Sequence, residues 1–379
     1  MDRKLTVLYI SNQGGGAPKS LLNMIKSLRV WVYPIVLFEN DWYDYQAFVN
    51  EGFECHIVPF RMGMVLDTPE YKKLKWRLHR YFDEYYLNKR VAARVAKLFC
   101  GRKIDIVHTN TGAITFGNDV AKALDAKSVW HLREFQDIDF GGRPYEGWKA
   151  FYRKLRDADA VIGITHAVGK HFHFECLRNA HVVWDAVRSS KDAVAVLDKD
   201  NYVLYCSSKI VPAKGLHDMI EAYAHSYLPA KGIHMKVIGI MDENYSSQIT
   251  GLINKYGLKD YIQFLGNQGN VKPYFEKACA FVLPSLNEGL GRVVIEAMFY
   301  GCPVIVRKEG GPTEYIEDEK NGYFFNNVDD LANKMNVVCS KNQEDLIHRA
   351  QKFAIENFSE EVYGEKIMAV YKGMFGYGK

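Results

Sequence analysis

The chain has 379 residues, of which 48% are hydrophobic and 25% charged, a balance that excludes a disordered polymer. Its 49 Lys and Arg against 45 Asp and Glu leave a net charge of +4, too slight for a dedicated nucleic-acid binder but no bar to a local anion site. At roughly 150 residues per domain, the length predicts two domains.

Seven widely spaced cysteines with no Cys-x-x-Cys pair argue against a disulfide framework or a cysteine zinc site, and a reducing compartment is expected. No apolar run reaches the roughly 18 residues of a membrane span. The first residues, Met1-Asp2-Arg3-Lys4, lead into a short apolar strand rather than a signal-peptide core, so a cytoplasmic protein is expected.

In chain order, short apolar runs at 5–10, 34–37, 55–58, 104–108, 128–130 and 160–164 read as buried strands, with helical spacing between most of them. The pattern restarts at 202–206, 234–239, 261–265, 280–283, 303–306 and 322–325. Strand and helix in alternation predict an α/β protein: two doubly wound, Rossmann-like domains with parallel sheets covered on both faces, facing across a cleft. The boundaries are 1–188, 189–358 and a closing helix over 359–379 that returns to the first domain; polar residues 188–200 read as the linker. Ligands of such sheets gather at the carboxyl ends of the strands.

The first strand runs into Gly14-Gly15-Gly16-Ala17-Pro18-Lys19-Ser20 ahead of a helical pattern. Glycines at a strand-to-helix turn let backbone N–H groups approach an anion. Pro18 breaks a P-loop reading and Lys19 a dinucleotide fingerprint, so close approach to phosphate or sugar stands beside a turn that needs glycine for geometry alone. Over 71–86, Leu74, Leu78, Phe82 and Tyr85 recur at helical spacing, flanked by Lys72, Lys73, Arg77 and Arg80. Such a helix either buries its stripe in the first domain or rests on an anionic membrane. The Asp-x-Asp pairs at 137, 157 and 198 are poorly placed for a metal, and His171, His173 and Glu175 lack a second ligand pair, so a partly exposed helix face is expected there.

After the strand at 202–206, Lys209 and Lys214 stand five apart in a loop, with Pro212 and Gly215 fixing the backbone, where they suit a diphosphate. After the strand at 280–283 come Glu288, a glycine-spaced turn, and a helix expected from about Leu290 that carries Glu296 among apolar residues. A lone buried carboxylate is costly unless hydrogen-bonded, so a ligand's hydroxyl pair or a core arginine is required. Eight residues of helix span about 12 Å, too far for a retaining hydrolase pair and better suited to gripping one extended ligand at two points.

The Glu288-x7-Glu296 element, continued by residues 297–305 and by Gly310-Gly311-Pro312-Thr313-Glu314, together with Lys214-Gly215, resembles the family-4 retaining glycosyltransferases of the GT-B fold. The first-domain segments at 14–19, 107–110 and 130–135 resemble members that build bacterial surface polysaccharides. Lys209 stands where that family usually has Arg, which keeps charge and loses bidentate phosphate contact. The resemblance implies a hexosyltransferase that takes a nucleotide sugar, most often a UDP-sugar, to a saccharide or lipid-linked acceptor with retained configuration, with no cofactor, metal or nucleic acid. It implies that Glu296 holds the ribose. Lys209, Lys214 and the amides of Gly291, Arg292 and Val293 would stabilise the diphosphate. Glu288, Gly289 and Leu290 would hold the sugar. Gly15 and Gly16 would admit acceptor or phosphate, and His131 would position the donor sugar, unless it is a satisfied core histidine. The alternatives are a nucleotide-sugar 2-epimerase of the same fold, which lacks the Lys-Gly plus Glu-x7-Glu arrangement, and a non-catalytic nucleotide-sugar binder.

Overall fold

A computed structural model of the chain describes residues 3–66, 78, 82–286 and 288–376. The chain divides into two units, Met1–Ala186 with Glu360–Lys379, and Val187–Ser359. In the first unit, β1 (Leu5–Ile10), β2 (Val32–Phe38), β3 (Glu54–Ile57), β5 (Ile106–Thr109), β6 (Lys127–Leu132), β8 (Ala160–Gly163) and β9 (Ala180–Val182) form one parallel sheet in the order β3-β2-β1-β5-β6-β8-β9. A separate antiparallel pair joins β4 (Met64–Leu66) to β7 (Gly142–Pro144). The central strands are buried along nearly their whole length, as expected when helices cover both faces.

The second unit repeats the plan. Strands β10 (Tyr202–Ile210), β11 (His234–Met241), β12 (Ile262–Gly266), β13 (Ala280–Leu283), β14 (Val304–Arg307) and β15 (Tyr323–Phe325) are parallel in the order β12-β11-β10-β13-β14-β15. In each sheet the winding reverses once, between β1 and β5 and between β10 and β13. A crevice opens at such a reversal because the loops after the two neighbouring strands leave toward opposite faces. The two Rossmann-like parallel sheets expected from the sequence are present.

Several elements differ from the sequence reading. Strand β10 continues through an irregularity after Cys206, so Lys209 is a strand residue rather than part of the loop. The helix after β13 begins at Arg292, two residues later than expected, with Glu288 in the turn before it as expected. The β4–β7 pair and β9 are only three residues each, too short for an alternating pattern to register. The segment 71–86, with the stripe expected in it, lies mostly outside the described residues; of the stripe Leu78 and Phe82 are exposed, and so is the neighbouring Tyr86.

The helix Glu360–Met374 packs in the first unit. Ile367, Met368 and Val370 join Leu21, Met24, Ile25 and Leu28 of the helix Gly16–Leu28 in one core. Gly364 lets the two backbones meet at Ser27, where a methyl group would come within 3.0 Å of the serine. Its tyrosines also reach a buried polar chain under the sheet. The Tyr363 hydroxyl donates to Asp185 at 2.9 Å, and Asp185 holds both oxygens near Nη1 of Arg133 at 2.5 and 2.6 Å. Tyr371 meets Nδ1 of His108 at 2.7 Å, and Nε2 of His108 meets Nδ1 of His131 at 3.2 Å. Burial first and Arg133 second hold both imidazoles well below their ordinary pKa.

These two histidines set an acid limit. Below the free imidazole value of 6.5 the unfolded chain takes up protons that the folded chain refuses, so stability falls with pH. Each imidazole contributes about 1.4 kcal/mol of that loss at one pH unit below its free value. Urea unfolding of the intact chain at pH 7.5 and 5.5 is expected to show the drop, and His108→Gln to reduce it by about half. Equal stability at both pH values would overturn this account.

Candidate functional site

At the winding reversal of the second unit, the turn after β10 and the turn after β13 are bonded to each other. The amide of Leu286 donates to the carbonyl of Ala213 at 3.0 Å, and Lys214 Nζ donates to Glu288 Oε1 at 2.6 Å. Lys214 closes a short 3₁₀ turn, Pro212–Lys214, and Gly215 follows with φ 68°. A methyl group at Gly215 would sit 2.3 Å from the carbonyl oxygen of Pro284. Glycine therefore follows the lysine for two reasons: the left-handed backbone and the contact between turns. Arg307, at the end of β14, ties the same corner by donating from Nε to Pro284 O at 3.0 Å and from Nη2 to Asp218.

A third segment closes on the Glu288 turn. The amide of Gly311 donates to the carbonyl of Glu288 at 2.8 Å, and a methyl group on Gly311 would fall 1.9 Å from the carbonyl oxygen of Gly289. The Tyr315 hydroxyl donates to Leu290 O at 2.8 Å. Its phenol is pushed well up from its ordinary pKa by burial, with Glu288 adding to the shift. Gly289 is half-buried, the Leu290 side chain is buried, and Gly291 turns the chain into the helix Arg292–Phe299. No acid occupies that helix's first turn, so the N-terminal partial charge around Arg292 and Val293 is not offset from within.

Glu296 is the fifth residue of this helix. Its Oε1 accepts from Arg188 Nη2 at 3.1 Å, so an arginine is the partner present, a partly exposed one rather than the core arginine expected, and the ligand hydroxyl is not required to make burial tolerable. Arg188 also lies 5.8 Å from the Tyr300 ring centre. Burial, with Glu296 adding to it, pushes the Cys206 thiol up to about 12. Lys214, Glu288 and Glu296 thus belong to the loops and helix at one reversal. Lys209 points elsewhere: its ammonium is exposed and 3.4 Å from Asp242.

The first unit holds the other expected residues. Gly15, at φ 80°, precedes the helix Gly16–Leu28 in the turn after β1, and the amide of Gly14 donates to Asp44 Oδ2 at 2.6 Å. A methyl group on Gly15 or Gly16 would meet nothing within 4 Å, so it is the backbone angle, not packing, that calls for glycine at 15. His131 is fully buried in the polar chain described above. Its Nδ1 faces donors from His108 and Arg133, and its Nε2 has no hydrogen-bond partner among the described residues, with Asp185 Oδ1 4.0 Å away. An imidazole whose pKa is lowered by burial in this way is held neutral and is a poor proton acceptor. His171 and His173 pair with Asp137 and Glu175 respectively.

Sequence reasoning missed Arg188, Arg307, Asp218 and Tyr315. The need for a partner beside Glu296, a ligand's hydroxyl pair or an arginine, was legible from the carboxylate in an apolar helix. Which arginine was not, because the partner lies 108 positions away.

Residues 187–356 match the family described as "Glycosyl transferases group 1". An uncharacterized glycosyltransferase of Haemophilus influenzae is 27% identical over 342 residues, covering 86% of this chain and 92% of its own length. The alpha-monoglucosyldiacylglycerol synthase of Acholeplasma laidlawii is 26% identical over 191 residues, and the match spans only 49% of this chain and 47% of that protein. Among solved structures, Anabaena Alr3699/HepE in complex with UDP superposes with a TM-score of 0.76 at 18% identity, over 98% of this chain and 100% of that one. The second unit, which places Lys214, Glu288 and Glu296 at one sheet reversal, is thus the part of the chain that matches the glycosyl transferases group 1 family, and the chain has the fold of the GT-B glycosyltransferases.

Proposed function

We propose that this chain is a family-4, retaining hexosyltransferase. It moves a hexosyl unit from a nucleoside diphosphate sugar, a UDP-sugar foremost, to a saccharide or lipid-linked saccharide in surface-polysaccharide synthesis, and needs no metal. The carrying observation is the junction of the Lys214 and Glu288 turns beside the start of the helix Arg292–Phe299. In this reading residues 189–358 take the donor and residues 1–188 the acceptor. The UDP complex of the Anabaena protein, which shares the fold, supports the choice of donor.

The chemistry follows from charge. As the bond from the anomeric carbon to the phosphate oxygen lengthens, positive charge grows on the sugar and negative charge on the diphosphate. Lys214 and the helix N-terminus stabilise the second, where a metal would otherwise serve, while Lys209 keeps its ion pair with Asp242. In the free protein Glu288 holds the Lys214 ammonium. A docked phosphate competes for that ammonium and releases Glu288 to accept hydrogen bonds from the sugar hydroxyls. Arg188 fixes Oε1 of Glu296, which leaves Oε2 for the ribose hydroxyls. The acceptor hydroxyl attacks on the face the phosphate leaves, its proton passing to the departing phosphate oxygen, so the configuration is kept.

Lys214→Ala is expected to lower kcat by about 10²- to 10³-fold, the scale of losing one preorganised stabiliser of transition-state charge. Glu296→Ala is expected to weaken UDP binding by about tenfold or more. Turnover of radiolabelled nucleotide sugars and calorimetric titration with UDP check the two; full activity and binding in both variants would refute the site. The exposed Leu78, Phe82 and Tyr86 support peripheral contact of the first unit with the inner face of the cytoplasmic membrane. Co-sedimentation with anionic vesicles at low salt is the expected result, and its absence removes that part of the proposal.

A further inference from the structure

A cavity of about 630 Å³ opens in the first unit where β6 and β8 end, at the ligand-binding edge of the sheet. Its volume lies within the roughly 300–1,000 Å³ of small-molecule sites. Trp148 and Tyr152 line it from the helix Trp148–Asp157, one turn apart, with ring centres 6.0 Å apart and planes inclined by 33°. Both rings are half-buried. Phe135 lines it from the segment after β6 and stands edge-on to His171 at 5.3 Å.

The polar lining is paired so that acceptors are left over. His171 Nε2 lies 2.8 Å from Asp137 Oδ1, and that oxygen also accepts the amide of Ile138 at 2.9 Å. This arrangement leaves Oδ2 of Asp137 and, in the neutral ring, Nδ1 of His171 as acceptors. Burial, then Asp137 and Glu175, raise the Tyr152 phenol, which stays a protonated donor. Lys170 brings an ammonium to the lining. Two of the four non-glycine residues with positive φ among the described residues flank this place, Gln136 at 69° and His173 at 55°. Strained backbone of this kind clusters where a site must be held in shape.

We propose that this cavity binds a neutral pyranose and is the docking place of the saccharide acceptor, an assignment that rests on the transferase reading above. A pyranose offers one apolar C–H face to lie on an indole or phenol and a rim of hydroxyls for the Asp137–His171 pair. Other ligand classes fit less well. A quaternary ammonium would meet Lys170, His171 and His173. A multivalent anion would meet Asp137 and the nearby Glu175. A wholly apolar ligand would strand the paired polar groups.

Saturation-transfer NMR on the full chain with the methyl glycosides of glucose, galactose, mannose and N-acetylglucosamine tests the assignment. At least one glycoside is expected to receive saturation, strongest at the protons of one ring face. Tyr152→Ser and Trp148→Leu are expected to abolish it. Because Trp148 also packs on Phe151, with ring centres 5.5 Å apart, Asp137→Asn serves as the variant that keeps the packing, and it is expected to weaken binding about tenfold. UDP binding should be unchanged in all three. No signal from any of the four glycosides, or full signal in both Tyr152→Ser and Asp137→Asn, overturns the proposal even where UDP binds normally. Failure of UDP to bind the unmodified chain would instead count against the transferase reading.

Discussion

The contact on which the second unit depends is the bond between two loops that leave neighbouring strands in opposite directions. Lys214 and Glu288 meet at 2.6 Å across the reversal of winding, and the amide of Leu286 locks the turns at 3.0 Å. The packing leaves little freedom there: Gly215 lies against Pro284, and Gly311 against Gly289. A cation held this way is preorganised. It is about one-third exposed, at 35%, and held in place by one oxygen of Glu288. Arg188 does the same for Glu296, fixing one oxygen of a carboxylate that the helix core alone would not tolerate.

Much of this was legible in the amino-acid order. Parallel strands buried on both faces show as unbroken apolar runs, and the runs at 5–10 and 280–283 coincide with β1 and β13 residue for residue. The lysine, glycine and glutamate of the site stand beside strand ends, where side-chain type and backbone freedom are written locally. What was not legible depends on long-range pairing. Lys209 looked like a loop residue because the irregularity in β10 hides the strand's continuation. Arg188 looked like linker, since nothing near it in sequence shows that it faces a helix 108 positions later.

The first unit shows the opposite balance. Its glycine-rich turn, conspicuous in sequence, has open space around Gly15 and Gly16. The well-defined polar features are instead assembled from distant residues. Tyr363 and Tyr371 of the last helix reach Asp185 and His108, so a segment that begins at residue 360 completes the interior of a unit that begins with β1. The aromatic cavity likewise draws on residues from 135 to 173, spread over several elements that no short motif joins. The buried polar chain and the cavity lining use the same residue types, and exposure separates buried His131 from half-buried His171.

The claim at the centre of this account is that the reversal in the second unit holds a diphosphate through Lys214. Calorimetric titration of UDP against uridine, on the unmodified chain and on Lys214→Ala, tests it most directly. The account predicts that UDP binds at least about tenfold tighter than uridine and that most of this difference disappears in the variant. Equal affinity for the two ligands, or a difference that survives loss of the lysine, would contradict it.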